Sequence, residues 1–148
     1  MSESEFGPTW AGVKAPAPFK RRAKLKIFVT RVIAEQGIAL LTEAFGKESV
    51  VVSPHNKPLP RAELLESVEG CAAILPVVND VIDADVMDAA GPNLNIIANF
   101  GVGYNNIDVS AATERGIVVT NTPGVLTETT ADLAWALIMA TARRINES

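Results

Sequence analysis

In 148 residues the chain has one cysteine and one histidine, only 5% aromatic residues and no excess of positive charge. A single thiol, Cys71, excludes an internal disulfide and any multi-thiolate metal site, and it fits a reducing compartment, so a cytoplasmic location is expected. Cys71 lies in the apolar run Cys71-Ala-Ala-Ile-Leu75, where it reads as a small buried hydrophobe rather than a reactive thiol. His55, in Ser53-Pro-His-Asn-Lys-Pro58, reads as a solvated loop residue, which leaves a histidine-dependent triad or a zinc site without material. With 13 Lys and Arg against 17 Asp and Glu, the net charge of -4 offers no broad cationic face, and nucleic acid is not expected as a partner. The one basic cluster, Lys20, Arg21, Arg22, Lys24 and Lys26, sits where a tail meets the first strand. No apolar run approaches a membrane span: the longest, Leu133 to Ala142, is about half of the ~20 residues required. The opening Met1-Ser-Glu-Ser-Glu-Phe-Gly-Pro carries acids where an export signal would be basic, so no membrane partner and no secretion are expected.

What is present is a 48% hydrophobic composition, sufficient for one core. Residues 1–23, with Pro8, Pro16, Pro18, Gly7 and Gly12 and no apolar period, are expected to be a flexible tail. From there strands and helices alternate. Strands are expected at Leu25–Thr30, Ser49–Ser53, Ala72–Leu75, Asn95–Phe100 and Ile117–Thr120, the last buried and continuously apolar. Helices are expected at Ile33–Phe45, Arg61–Val68, from Asp83 as cap to Ala90, from Asp108 as cap to Arg115, and from about Thr127 to Arg144, where Thr129 and Asp132 suggest a capping box. Such alternation predicts an α/β domain over 24–125, with a five-stranded, mainly parallel sheet covered by helices on both faces. Residues 126–148 would form a long C-terminal helix. Its apolar residues surround nearly the whole circumference, which calls for partners on more than one side.

Ligands of open α/β sheets collect at the carboxyl ends of strands, so the loops there are the candidates. The most informative is Gly101-Val-Gly-Tyr-Asn-Asn106, where two glycines let consecutive backbone N–H groups face one anion. It is not the dinucleotide fingerprint, because Asn106 stands where the third glycine belongs and Asn121 and Thr122 stand where an acid belongs. By composition alone a plain glycine turn leading to the Asp108 cap and a small-anion nest remain equally open. An FMN-binding reading has little support, since Thr30-Arg-Val-Ile after the first strand lacks a phosphate-cradling series.

Asn99-Phe-Gly-Val-Gly-Tyr-Asn-Asn-Ile-Asp108, then Gly116-Ile-Val-Val-Thr-Asn-Thr-Pro-Gly124, then Thr130-Ala-Asp-Leu-Ala134, together resemble the D-isomer-specific 2-hydroxyacid dehydrogenases, and within them the glyoxylate and hydroxypyruvate reductases. Lys26-Ile-Phe-Val-Thr-Arg31 is similar as well, so the resemblance covers about residues 24–146. It implies a flavodoxin-like substrate domain followed by a connecting helix that would lead into a nucleotide-binding domain absent from this sequence. It also implies that the backbone of Gly101, Val102 and Gly103 holds a 2-oxoacid carboxylate, that Val77 and Val78 line the substrate pocket, and that Thr130 touches the cofactor. NAD(H) or NADP(H) would serve the intact parent and none would be bound by this chain. The arginine, acid and histidine that such enzymes use lie beyond the connecting helix, so the expectation is a truncated portion, inactive alone, with no catalytic residue of its own. A free-standing anion-binding module that self-associates through the exposed helix, as a homo-oligomer, is the alternative.

Overall fold

The computed structural model describes residues 25–145, so the expected tail and the basic residues at 20–24 lie outside the described residues. Five strands, β1 (Ile27–Val29), β2 (Val50–Val52), β3 (Ala73–Leu75), β4 (Ile96–Ala98) and β5 (Val118–Thr120), form one sheet in the order β2-β1-β3-β4-β5. Every pairing is parallel. The helices are α1 (Glu35–Phe45), α2 (Arg61–Val68), α3 (Ala84–Ala90), α4 (Val109–Glu114) and α5 (Thr127–Ala142), with a short 3-10 turn at Lys47–Ser49. The predicted α/β class and alternation therefore hold, with each strand trimmed at both ends or at one.

Register explains where the core lies. Phe28, Ile74, Ile97 and Val119 share one row across the sheet and point to one face, where Leu64, Val68, Val86, Met87, Ala111 and Ala112 from α2, α3 and α4 meet them. The β1-to-β2 connection runs opposite to the three that follow, and right-handed crossovers then place α1 on the other face. That second face is thinly covered: α1 buries no residue fully, and its Leu40 and Phe45 are exposed. Cys71 is fully buried, and desolvation raises its thiol pKa, in keeping with a packing role.

Two expectations fail. β5 is not a buried strand: it is the sheet edge, with Val118 56% exposed, because a terminal strand has only one neighbour. No capping box forms at Thr129 and Asp132: α5 starts at Thr127, where it was expected, with Leu126 as its cap residue and no side-chain acceptor. Both carboxylate caps, by contrast, are as expected. The Asp83 carboxylate accepts from the Val86 N–H and that of Asp108 from the Ala111 N–H, and Gly91 (φ 83°) stops α3 in backbone geometry that favours glycine.

Asp83→Ala is expected to lower stability by about 1 kcal/mol in a urea melt at pH 7, chiefly through the lost cap, since its partner Arg61 is 40% exposed and such surface pairs add little. Desolvation works to raise the Asp83 pKa, but the Arg61 guanidinium and the Val86 N–H outweigh it and hold the carboxyl below its usual range. A carboxylate held low in the folded state stabilises above its unfolded value, about 3.9, and loses that contribution as pH falls through the folded value. The gap between wild type and variant should therefore be steady from pH 7 to about 5 and shrink in acid; a gap that persists unchanged at pH 2 would contradict this.

Candidate functional site

The loops after β3, β4 and β5 lie side by side at the carboxyl edge because their strands are neighbours. They are also stitched together beyond the strands. Val77 and Phe100 form a parallel bridge, the Phe100 N–H donates to the Pro76 carbonyl at 2.8 Å, and the Thr122 N–H donates to the Gly101 carbonyl at 2.9 Å. Val78 and Gly101 are in direct contact: a Cβ added at Gly101 would overlap Val78 Cγ1. The structure thus brings together Val77, Val78, Gly101, Val102 and Gly103.

The glycine loop has a consistent polarity. Its three carbonyls are engaged, that of Gly101 by the Thr122 N–H, that of Val102 by Asn121 Nδ2 at 2.8 Å, and that of Gly103 by Asn99 Nδ2 at 2.7 Å. The N–H groups of Val102 and Gly103 have no partner among the described residues, and both residues are exposed. Adjacent free N–H groups on such a loop form a concavity of partial positive charge suited to carboxylate or another small anion. Around it stand exposed apolar side chains, Val78, Phe100, Val102 and Tyr104.

Beneath the loops lies a polar cluster that sequence reading missed. Asp80, 4% exposed, accepts from Thr30 Oγ1 at 2.6 Å, Arg31 Nη2 at 2.8 Å and the Val77 N–H at 3.0 Å. It sits beside the boundary between β1 and β3, where the crossovers diverge. Asn99 and Asn106 form a second pair: Asn106 Nδ2 donates to Asn99 Oδ1 at 3.1 Å and to the Asp80 carbonyl at 3.1 Å. The available signal was a polar residue ending an apolar strand, at Thr30 and at Asn99, but nothing local names its partner.

Thr130 lies in the first turn of α5, exposed, its N–H donating to the Leu126 carbonyl, so it is a helix residue rather than a cap. His55 is in the exposed loop after β2, its Nε2 3.5 Å from Glu63. That strand is three positions from β4, on the order of 14 Å at ~4.8 Å per strand. A cavity of about 230 Å³ beside Leu59, Leu64, Asp80 and Val81 opens on the carboxyl side. Another of about 460 Å³, near Leu94, Arg115 and Ile117, lies at the opposite ends of the strands, and Asp88 grips its Arg115 through two hydrogen bonds, so no free charge faces a ligand there. Among the described residues no cluster of His, Cys, Asp and Glu could hold a metal, and no helix is long and apolar enough to cross a membrane.

Comparison with known proteins places these features in a wider set. The family model for the D-isomer specific 2-hydroxyacid dehydrogenase catalytic domain matches residues 27–147. A glyoxylate reductase of Thermococcus kodakarensis is 51% identical over 123 residues, 83% of this chain and 36% of that protein, and one of Pyrococcus furiosus is 49% identical over 82% of this chain and 35% of that one. The chain therefore spans about a third of the length of these relatives. Among solved structures, a Thermus thermophilus protein superposes with a TM-score of 0.72 at 47% identity, covering 83% of this chain and 38% of the other. An NAD+-bound 3-phosphoglycerate dehydrogenase of Entamoeba histolytica superposes at 0.62 with 28% identity, over 80% and 39%.

Proposed function

Because this chain belongs to the D-isomer specific 2-hydroxyacid dehydrogenase family, we propose that it is the substrate-binding portion of an NAD(P)-dependent reductase of small 2-oxoacids, of the glyoxylate or hydroxypyruvate type. The observation that carries this reading is the pair of free N–H groups at Val102 and Gly103, beside carbonyls that are already hydrogen-bonded. A 2-oxoacid would place its carboxylate on those two groups, with the backbone of Gly101 between them and the wall, and lay its remaining carbons against Val77 and Val78. The nest supplies charge complementarity and the wall excludes water, so the chain's own contribution is to bind and orient. In this reading 24–125 is the substrate domain and 126–148 the connecting helix.

Hydride transfer also needs a nicotinamide and a proton donor. The described residues do not fit a dinucleotide by themselves. The helix after the glycine loop opens on Asp108, whose carboxylate already takes the Ala111 N–H where a pyrophosphate would need free donors and no negative charge. Thr130, exposed at the start of α5, is the residue we assign to the cofactor side in the intact parent. His55 lies too far from the nest to serve as proton donor. With glyoxylate or hydroxypyruvate and either NADH or NADPH, the purified 148-residue chain should give no turnover. Oxamate, a 2-oxoacid analogue that is not reduced, should shift the amide NMR signals of Val102 and Gly103. Turnover, or oxamate shifts confined to other residues, would sink this reading.

A second reading rests on α5, where Leu133, Trp135, Leu137 and Ile138 are all at least 58% exposed. An exposed apolar helix surface of that kind suits self-association, and a single monomeric species in size-exclusion at high concentration would rule it out.

A further inference from the structure

We infer that Asn106 is a positioning residue that locks the glycine loop to the Val77–Val78 wall, so that anion capture and contact with the substrate's carbon chain occur on one rigid unit. The inference rests on the site proposed above and adds a role that neither the glycine pattern nor the pocket wall supplies. Asn106 is the last residue of the glycine loop, three positions after Gly103, and is half-buried. Its Nδ2 has two hydrogens and three acceptors in reach, the Asp80 carbonyl (3.1 Å), Oδ1 of Asn99 (3.1 Å) and, at the longer distance of 3.4 Å, the Val77 carbonyl, so one N–H is shared. Its Oδ1 accepts from Asn99 Nδ2 at 3.4 Å, and the same Nδ2 holds the Gly103 carbonyl at 2.7 Å. The main chain joins in: the Ile82 N–H donates to the Asn106 carbonyl at 2.8 Å.

One side chain therefore ties the loop after β3 at both of its ends and, through Asn99, holds the Gly103 carbonyl. In a trans peptide each N–H lies opposite the preceding carbonyl, so the Thr122 N–H and Asn121 Nδ2, which hold the Gly101 and Val102 carbonyls, set the direction of the Val102 and Gly103 amides, while the Asn99 bond to the Gly103 carbonyl anchors the end of that segment. Val78 Cγ1 meanwhile occupies the space a Cβ at Gly101 would need, so wall and loop touch on one side and are hydrogen-bonded on the other. The Asn106 side chain thus bonds to the loop after β3 directly and to the glycine loop through Asn99, which holds the Gly103 carbonyl. Aspartate of the same shape would put an acceptor against two carbonyls and an amide oxygen, so the donor, not the volume, is what the position uses.

The test uses the 15N- and methyl-labelled chain, titrated with oxamate. In the wild type, the amides of Val102 and Gly103, the methyls of Val77 and Val78 and the Asn106 side-chain NH2 pair should follow one binding curve, although Asn106 does not touch the ligand. In Asn106→Ala the affinity should fall about tenfold, and the Val77 and Val78 methyls should stop following the amides. A variant that binds within twofold of wild type, with methyls and amides still moving together, overturns the inference and leaves the site intact. A wild type whose 101–103 amides do not respond overturns the site itself, and the inference with it. Where Asn106→Ala does not fold, the wild-type side-chain NH2 signals decide: they should exchange slowly with solvent and shift on binding, and rapid exchange with no shift overturns the inference.

Discussion

Asp80→Ala should destabilise the protein by about 3–5 kcal/mol, a large share of the 5–15 kcal/mol that holds a typical domain together. The reason is what remains after the carboxylate is gone. Arg31, its side chain only 11% exposed, has Asp80 as its ion-pair partner, and its Nε already lacks a hydrogen bond. Removing Asp80 strands a buried guanidinium along with the Val77 N–H, and Thr30 Oγ1 keeps only its 3.3 Å bond to the Leu75 carbonyl. A buried charge without a partner is among the few single changes with an effect of this size. Arg31→Met together with Asp80→Leu should recover much of the loss, because replacing both ions by apolar groups of similar volume is often close to neutral. Equilibrium urea denaturation measures both. A loss under about 1 kcal/mol for Asp80→Ala would mean water reaches Arg31 freely and that the cluster is not a rigid base for the loop.

The second large effect is at Gly101. Its backbone is not in the left-handed region, so alanine meets no torsional obstacle there; the obstacle is Val78 Cγ1, which the new methyl would overlap. Valine is stiff about χ1 and cannot simply turn away, so the wall or the glycine loop has to move. Overpacking of this kind costs about 1–3 kcal/mol, and displacement of the Val102 and Gly103 amides should weaken oxamate binding by more than tenfold. Gly101→Ala combined with Val78→Ala clears the overlap and should restore both stability and binding relative to Gly101→Ala alone. A double-mutant cycle with zero coupling would show that the two loops do not press on each other as described.

What could be read from sequence follows the range of the interactions concerned. Asp83 and Asp108 were legible as caps because a cap and its helix are three residues apart, and Arg61–Val68 was legible to its end residues because Pro60 marks its start. The edge position of β5 was not, since exposure of Val118 depends on strand order, which no local pattern encodes. The exposure of Leu40 and Phe45 is hidden for a related reason: helical spacing marks an apolar face but not whether anything lies against it. At the site, the glycine loop announced itself through composition. Its supports did not, because Thr30 and Asp80 are 50 residues apart and Asn106 reaches back 29 residues to Val77. The capping box at Thr129 failed because the chain turns into α5 earlier, through Pro123-Gly124, so that Thr129 and Thr130 are already inside the helix.

The strand order also has a consequence for the moment of synthesis. Ile27 pairs with Val50 on one side and with Ala73, 46 positions later, on the other. A ribosome adding about 5–20 residues per second takes roughly 2–9 seconds to cover that interval. Throughout it, β1, whose Val29 ends with no exposed surface at all, has at most β2 beside it and one open edge. The first of these five strands to leave the ribosome is thus the central one of the β2-β1-β3 half, and it is exposed for longest, so this sheet is most open to mispairing or to capture by a chaperone before residue 75 has emerged.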